Sequence, residues 1–156
     1  MEQVILKRKI APRVLNGHPW VFSNEIEKIE GEPAPAAIVD VLTHDKKFVG
    51  RGYFNPKSQI PVRILTRKRE EGIDASFFLQ KIKTCWAYRQ RTGYTENCRL
   101  VFGEADGLPQ LIIDKFNDYF VIHQFVYRSA DLPCLPNQQQ YPLVKIQLHA
   151  LNCSLL

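Results

Sequence analysis

The sequence predicts a mostly β protein with an α+β piece appended: a small barrel-like β unit, then a partial central domain of one helix and a β hairpin. Three observations carry this reading. Five short apolar runs separated by turn residues crowd into fewer than 70 residues, with no long helical period among them. A single helical period follows, opened by Asp74 and closed near Gly93. Two strand-like runs then flank the turn dipeptide Asn117-Asp118.

The elements follow in chain order. Val4 to Ile10, Trp20 to Ile26, Ile38 to Thr43, Phe48 to Phe54 and Pro61 to Arg67 are the expected strands. Between them stand Asn16-Gly17, Gly31 to Pro35, His44-Asp45 and Asn55-Pro56, residues that favour turns. Pro61 has no N–H to give a ladder, so it must open its strand or lie on an edge. In the expected helix Phe78, Ile82 and Cys85 recur at i, i+4 and i+7, with Phe77 and Trp86 alongside. Asp74 suits the N-cap, and Gly93 suits the left-handed position that ends a helix. Arg99 to Gly103, Leu111 to Phe116 and Tyr119 to Phe125 are further strands. From Val126 the character changes: Pro133, Pro136 and Pro142 interrupt the chain, and Asp131 is its only acid from there on. Within that tail Lys145 to Leu151 fits a strand or a helix equally. The expected division is therefore 1–69, 70–125 and an atypical tail, 126–156.

Net charge is +5, unevenly distributed. Residues 1–69 hold 13 Lys and Arg against 7 Asp and Glu, residues 70–126 hold 6 against 8, and residues 127–156 hold 2 against 1. A basic surplus confined to one segment is the electrostatic footprint expected of a nucleic-acid binder, although a solvated basic surface produces the same numbers. No run of eighteen apolar residues exists, so no membrane contact is expected. The charged amino terminus, Met1 to Ile10, does not resemble a signal peptide. Cys85, Cys98, Cys134 and Cys153 lack paired-ligand spacing, which suits reduced thiols in a cytoplasmic protein and no metal.

Candidate chemistry is sparse. The last glycine is Gly107, so 49 residues follow without one. Nucleotide pockets of doubly wound folds need glycines after the first strand, where the backbone approaches the ligand. Catalysis and cofactor binding by this chain alone are therefore not expected. Glu104-Ala105-Asp106-Gly107-Leu108-Pro109 puts two carboxylates in one loop; a turn capped by Asp106, with Gly107 at positive φ, explains it better than a catalytic acid. His18, His44, His123 and His149 stand apart from one another. The segment at 47–58 is more informative. Alternation places Lys47, Val49, Arg51 and Tyr53 on one side of a strand and Phe48, Gly50, Gly52 and Phe54 on the other. Two cations beside an aromatic ring, with Asn55, Lys57 and Ser58 just beyond, can hold phosphates and stack a base. An amphipathic strand facing only water is the competing explanation. Lys7 and Lys9 share one side of the first strand and add a second cationic strip.

These residues also resemble a known family. Gly17-His18-Pro19-Trp20-Val21-Phe22-Ser23-Asn24-Glu25-Ile26 is similar to the signature near the start of the large-subunit ribosomal-RNA methyltransferase I family. Gly50-Arg51-Gly52-Tyr53-Phe54-Asn55-Pro56-Lys57-Ser58-Gln59-Ile60 and Val62-Arg63-Ile64-Leu65 resemble its continuation, and Arg99 to Pro109 resembles its second strong motif. Gln110 departs from the pattern, standing where the family usually has glycine. The resemblance implies an N-terminal PUA domain that engages RNA, a central α+β domain, and a C-terminal Rossmann-like domain that binds S-adenosylmethionine and methylates carbon 5 of a cytosine in 23S ribosomal RNA.

No catalytic or cofactor-binding residue is carried over, because the resemblance ends near Phe125 and the Rossmann domain is expected to be absent. A shifted reading frame or a gene remnant would give such a tail. Lys7, Lys9, His18, Lys47, Arg51, Tyr53, Asn55, Lys57 and Ser58 are the expected RNA contacts. Ribosomal RNA is the expected partner, and a homodimer is left open. The leading expectation is an RNA-binding portion without catalysis of its own. A subunit of a split methyltransferase and a non-functional truncated product are the alternatives.

Overall fold

The computed structural model describes residues 2–8, 12–124 and 144–147. They divide into two compact units that meet in sequence at Ile73 and Asp74.

The first unit contains β1 (Gln3–Leu6), α1 (Pro12–Leu15), β2 (Trp20–Val21), a 3-10 turn (Ser23–Glu25), β3 (Ile26–Glu30), β4 (Ile38–Leu42), β5 (Phe48–Phe54) and β6 (Val62–Thr66). The six strands form one curled, half-barrel sheet in the order β2-β6-β5-β4-β1-β3. All pairings are antiparallel except β1 with β4. Its core is Val4, Leu6, Val14, Val21, Val39, Val41, Val49, Phe54, Val62 and Ile64, mostly β-branched side chains that fit a pleated, half-buried surface. Full burial of one such side chain stabilises by about 1.5–3 kcal/mol.

Three expectations for this unit are corrected. β1 ends at Leu6, so Lys7 lies past the strand and does not share the alternation along it expected with Lys9. The run Trp20 to Ile26 is not one strand: it breaks after Val21, turns as a 3-10 helix and restarts as β3, which pairs with β1. The break is local chemistry. The Glu25 carboxylate accepts the Phe22 N–H (2.7 Å), and the Ser23 N–H donates to the Gln59 carbonyl (3.1 Å). The expected alternation along β5 is also interrupted. Its register against β4 shifts between Val41 and Leu42, a bulge that sends Val49 into the core and leaves Phe48 on the outer side with Arg51. Gly50 and Gly52 mark a close backbone approach. A Cβ on Gly52 would overlap the Arg63 carbonyl, and one on Gly50 would lie 2.7 Å from Ile64 Cγ2.

The second unit contains α2 (Ala75–Arg91), β7 (Asn97–Phe102), a 3-10 turn (Gly103–Asp106), β8 (Leu111–Phe116), β9 (Tyr119–Gln124) and β10 (Val144–Gln147). The strands are antiparallel in the order β10-β9-β8-β7. Asp74 caps α2, its carboxylate accepting the Phe77 N–H at 2.9 Å. Gly93 follows the helix at φ 88°. The buried stripe of α2 carries Phe77 and Cys85; Phe78, expected in it, is half-buried and packs edge-on against Phe77. Leu100, Val101, Leu108, Pro109 and Ile113 are buried in the strands and their connection. Asn117 takes φ 52° in the β8–β9 turn, the left-handed geometry that tight hairpins require. Of the ambiguous stretch 145–151, the described residues extend as strand; the rest of the tail lies outside the described residues.

Candidate nucleic-acid interface

Strand direction sorts the expected contacts into three places. β1 and β4 run parallel and β5 and β3 run against them, so the C-terminal ends of β1 and β6 and the β4–β5 turn lie at one end of the sheet. Lys7 and Lys47 are there, and His18 enters β2 from the same end. Asn55, Lys57 and Ser58 lie in the β5–β6 turn at the opposite end. The seven residues of β5 separate the two ends by roughly 20 Å. Arg51 and Tyr53 occupy the outer face between them. Lys9 lies outside the described residues.

The partners of these side chains differ. Arg51 is spent inside the unit: its guanidinium grips Asp40 through Nε (2.6 Å) and Nη2 (3.4 Å), and Nη1 donates to the Glu71 carbonyl (3.1 Å). Only 11% of its side chain is exposed. Glu71 is fixed in turn by the Thr66 hydroxyl. Tyr53 is half-buried, and that burial pushes its phenol above the ordinary value. In the far turn Asn55 Oδ1 accepts the Lys57 N–H (3.1 Å) and Ser58 Oγ accepts the Ile60 N–H (3.1 Å). These two side chains therefore shape their loop, keeping their amide and hydroxyl hydrogens as donors.

At the other end Lys47 is exposed and pairs with Asp45 (2.8 Å). Hydrogen bonding to Lys47 and to the Thr43 hydroxyl brings the Asp45 carboxyl down to about 2. The Lys28 and Lys46 ammonium groups hold Glu30 at about 2 in the same way. His44 reaches Glu27 at 2.7 Å. Lys7 and Arg8 are exposed, as are Lys68 and Arg69 just after β6. Arg67 between them turns inward, donating to the carbonyls of Val49 (3.2 Å) and His18 (2.8 Å). Burial lowers its pKa from the ordinary value.

His18 belongs to a connected set at the margin of the sheet. Its Nδ1 accepts the Trp20 N–H (3.2 Å) and lies 3.1 Å from Arg13 Nη1, an arrangement that assigns the ring proton to Nε2. Arg13 also donates to the Trp20 carbonyl (3.0 Å) and to Glu25 (2.7 Å), and it lies over the Phe22 ring. Trp20 meets His18 and Phe22 edge to face.

Sequence reading passed over four residues at the basic end: Arg8, Phe48, Lys68 and Arg69. The run Arg67-Lys68-Arg69 was a visible signal. Phe48 was not, because its outward position depends on the bulge.

In the second unit Asp106 accepts from Arg89 (2.6 Å) and from the Phe102 N–H (2.7 Å), and Gly107 takes φ 68°. The loop is thus the capped turn. An open depression of about 210 Å³ beside it is lined by Phe102 to Ala105 and Gln110 to Ile112. That is below the roughly 300–1,000 Å³ of ordinary ligand pockets. Among the described residues no group of three or more His, Cys, Asp or Glu could hold a metal. No helix among them is long and apolar enough to cross a membrane. They also do not fit S-adenosylmethionine. The parallel pair β1 and β4 is joined through β2 and β3 rather than by one crossover helix, so no glycine-rich strand-to-helix cradle forms there.

Comparison with known proteins agrees with this architecture. A PUA-like domain model matches residues 4–67. Ribosomal RNA large subunit methyltransferase I of Klebsiella pneumoniae is 35% identical over 123 residues, covering 77% of this chain and 31% of the relative. The protein of the same name from Shewanella denitrificans is 45% identical over 112 residues, 67% of this chain and 27% of the relative. The chain thus spans about 30% of the length of the curated relatives it matches. Among solved structures, a Streptococcus mutans protein assigned as a SAM-dependent methyltransferase superposes with a TM-score of 0.67 at 12% identity, covering 81% of this chain and 33% of its own. A second, assigned as a methyltransferase and complexed with SAH, superposes at 0.68 with the same identity and coverage. Residues 4–67 are a PUA-like domain, and the chain is a homologue of the ribosomal RNA large subunit methyltransferase I family, matching the N-terminal portion of its members.

Proposed function

We propose that this chain is the RNA-engaging portion of a 23S ribosomal-RNA (cytosine-C5) methyltransferase, acting in the cytoplasm, with its first unit holding RNA mainly through phosphates. The observation that carries the reading is the confinement of basic surplus to residues 1–69, together with the strand order that brings Lys7, Arg8, Lys47, Lys68 and Arg69 to one end of the sheet. The relatives' name supplies the substrate class. Lys7 and Lys47 supply charge at that end, Lys9 is a further proposed contact, and His18 offers Nε2–H as a donor. Lys57, Asn55 and Ser58 form a second contact region at the opposite end, and Tyr53 lies between. Arg51 acts indirectly, as a positioning residue for the outer face. S-adenosylmethionine is the methyl donor of the intact family, and methyl transfer belongs to sequence beyond the part matched here.

The test is fluorescence anisotropy with a labelled 23S fragment across salt concentrations. If about four phosphates are neutralised, log affinity falls with log salt at a slope on the order of −3. Affinity that ignores salt, or no affinity, overturns the reading. Calorimetry of the same chain with S-adenosylmethionine should show no specific heat; micromolar binding would contradict the division of labour proposed.

A further inference from the structure

We infer that Phe48 is the floor of a binding site for one unpaired nucleobase, with Arg69 as the movable side chain above it and Lys68 available to the flanking phosphates. The inference rests on the RNA-binding reading and deepens it by naming the nucleotide state recognised. Three observations lead to it.

First, the β5 bulge turns Phe48 out of the core at the first position of its strand, where the ring is only half-buried. Outward placement leaves part of the ring open to solvent instead of sealed in the core. Second, two guanidinium groups lie over this ring, Arg51 at 5.9 Å and Arg69 at 5.7 Å from its centroid. They are not equivalent. Arg51 is immobilised by Asp40 and the Glu71 carbonyl, whereas Arg69 is exposed and has no carboxylate partner among the described residues. Third, β6 pairs Thr66 with Arg51, so the chain leaving β6 runs antiparallel past Val49 and Phe48, and Arg67 ties it there through the Val49 carbonyl. Lys68 and Arg69 are thereby brought beside Phe48, next to Lys47 in sequence.

Cations around a partly exposed aromatic face make the arrangement by which single-stranded nucleic acid is held, the base on the ring and the backbone on the charges. An exposed cation–π contact is weaker than base–aromatic stacking, so a base can displace Arg69 from the ring and leave its charge for the adjoining phosphate.

The experiment uses the full chain and a short single-stranded RNA carrying one 2-aminopurine. The parent should bind it and quench its fluorescence. Phe48→Leu should lose affinity roughly tenfold and lose the quenching, with the salt slope unchanged, because only stacking is removed. Arg69→Gln should make the slope shallower by about 0.7, one counterion fewer on a single strand. Phe48→Leu with the parent's melting temperature, affinity and quenching overturns the site. Should Phe48→Leu not fold, an unchanged slope for the exposed Arg69→Gln overturns it instead. Polyglutamate that competes as well as RNA of equal charge would assign the surface to an acidic protein, also against the inference. A parent that binds no RNA at all removes the broader reading, which separates the two failures.

Discussion

Gln110 holds φ 67°, a left-handed conformation that costs a residue with a Cβ but not glycine. It is also the position at which glycine is usual in the resembling family. Gln110→Gly should therefore stabilise the second unit by about 0.5–1 kcal/mol, seen as a higher denaturant midpoint with unchanged slope. The thiols differ as sharply. Burial, reinforced by the charge of Asp106, pushes Cys85 above its ordinary pKa, so the reactive thiolate is scarce at neutral pH. Peptide mapping after brief iodoacetamide treatment should show Cys98, which is partly exposed, alkylated well before Cys85. Faster labelling of Cys85 would mean that α2 opens readily. Single residues whose role is settled by near neighbours were legible from sequence: Asp74 as a cap, Gly93 after the helix, and Gly107 in its turn. Arg51 was not, because its partner Asp40 lies across a strand pair and only the folded register brings the two together.

The β5–β6 pair shows how one missing methyl group sets an element. With the Arg63 carbonyl where a Gly52 Cβ would be, Gly52→Ala must force the strands apart, at a cost of about 3 kcal/mol or more. Thermal melting would report it, and a near-neutral result would mean the strands are free to separate. The β4–β5 turn and the end of β3 carry a different signature. Glu30 and Asp45 have folded pKa values lowered to about 2, so the stability they add is fully present above the ordinary carboxylate range and is lost as pH falls toward 2. NMR titration of the two carboxyl groups should find midpoints near 2, and midpoints near 4 would show the lysines disengaged. β5 and β8 were legible with their bounds, since each is a short apolar-rich run flanked by turn residues. β3 was hidden because, of its residues, Ile26 alone packs against the core cluster. The bulge in β5 was hidden because a two-residue period carries no sign of an inserted residue.

At the scale of the chain, every buried side chain of the first core comes from residues 4–64. Residues 1–73 expressed alone should therefore melt cooperatively and keep the RNA affinity of the full chain. A broad, probe-dependent transition would show that the first unit leans on the second. The basic surplus of this part was countable from sequence, and so was a β-rich fold with a helical appendage. Which cations gather at one end was not, because that depends on the order β2-β6-β5-β4-β1-β3, in which β1 crosses to lie beside β4.

The linked side chains of Arg13, His18 and Glu25 have a consequence for strand addition at the border of the sheet. β2 ends the first sheet, and the outward amide and carbonyl of Trp20 and the amide of Phe22 would otherwise invite a strand from another molecule. All three are already engaged by those side chains. At the other margin, β3 shows water a charged sequence whose Glu27 and Glu30 are bound to His44 and Lys46. Neither border is an open template for amyloid-like stacking, and strand exchange between copies is discouraged at both. The Gly17–Ile26 motif, with Arg13, thus closes the β2 border of the half-barrel to strand addition.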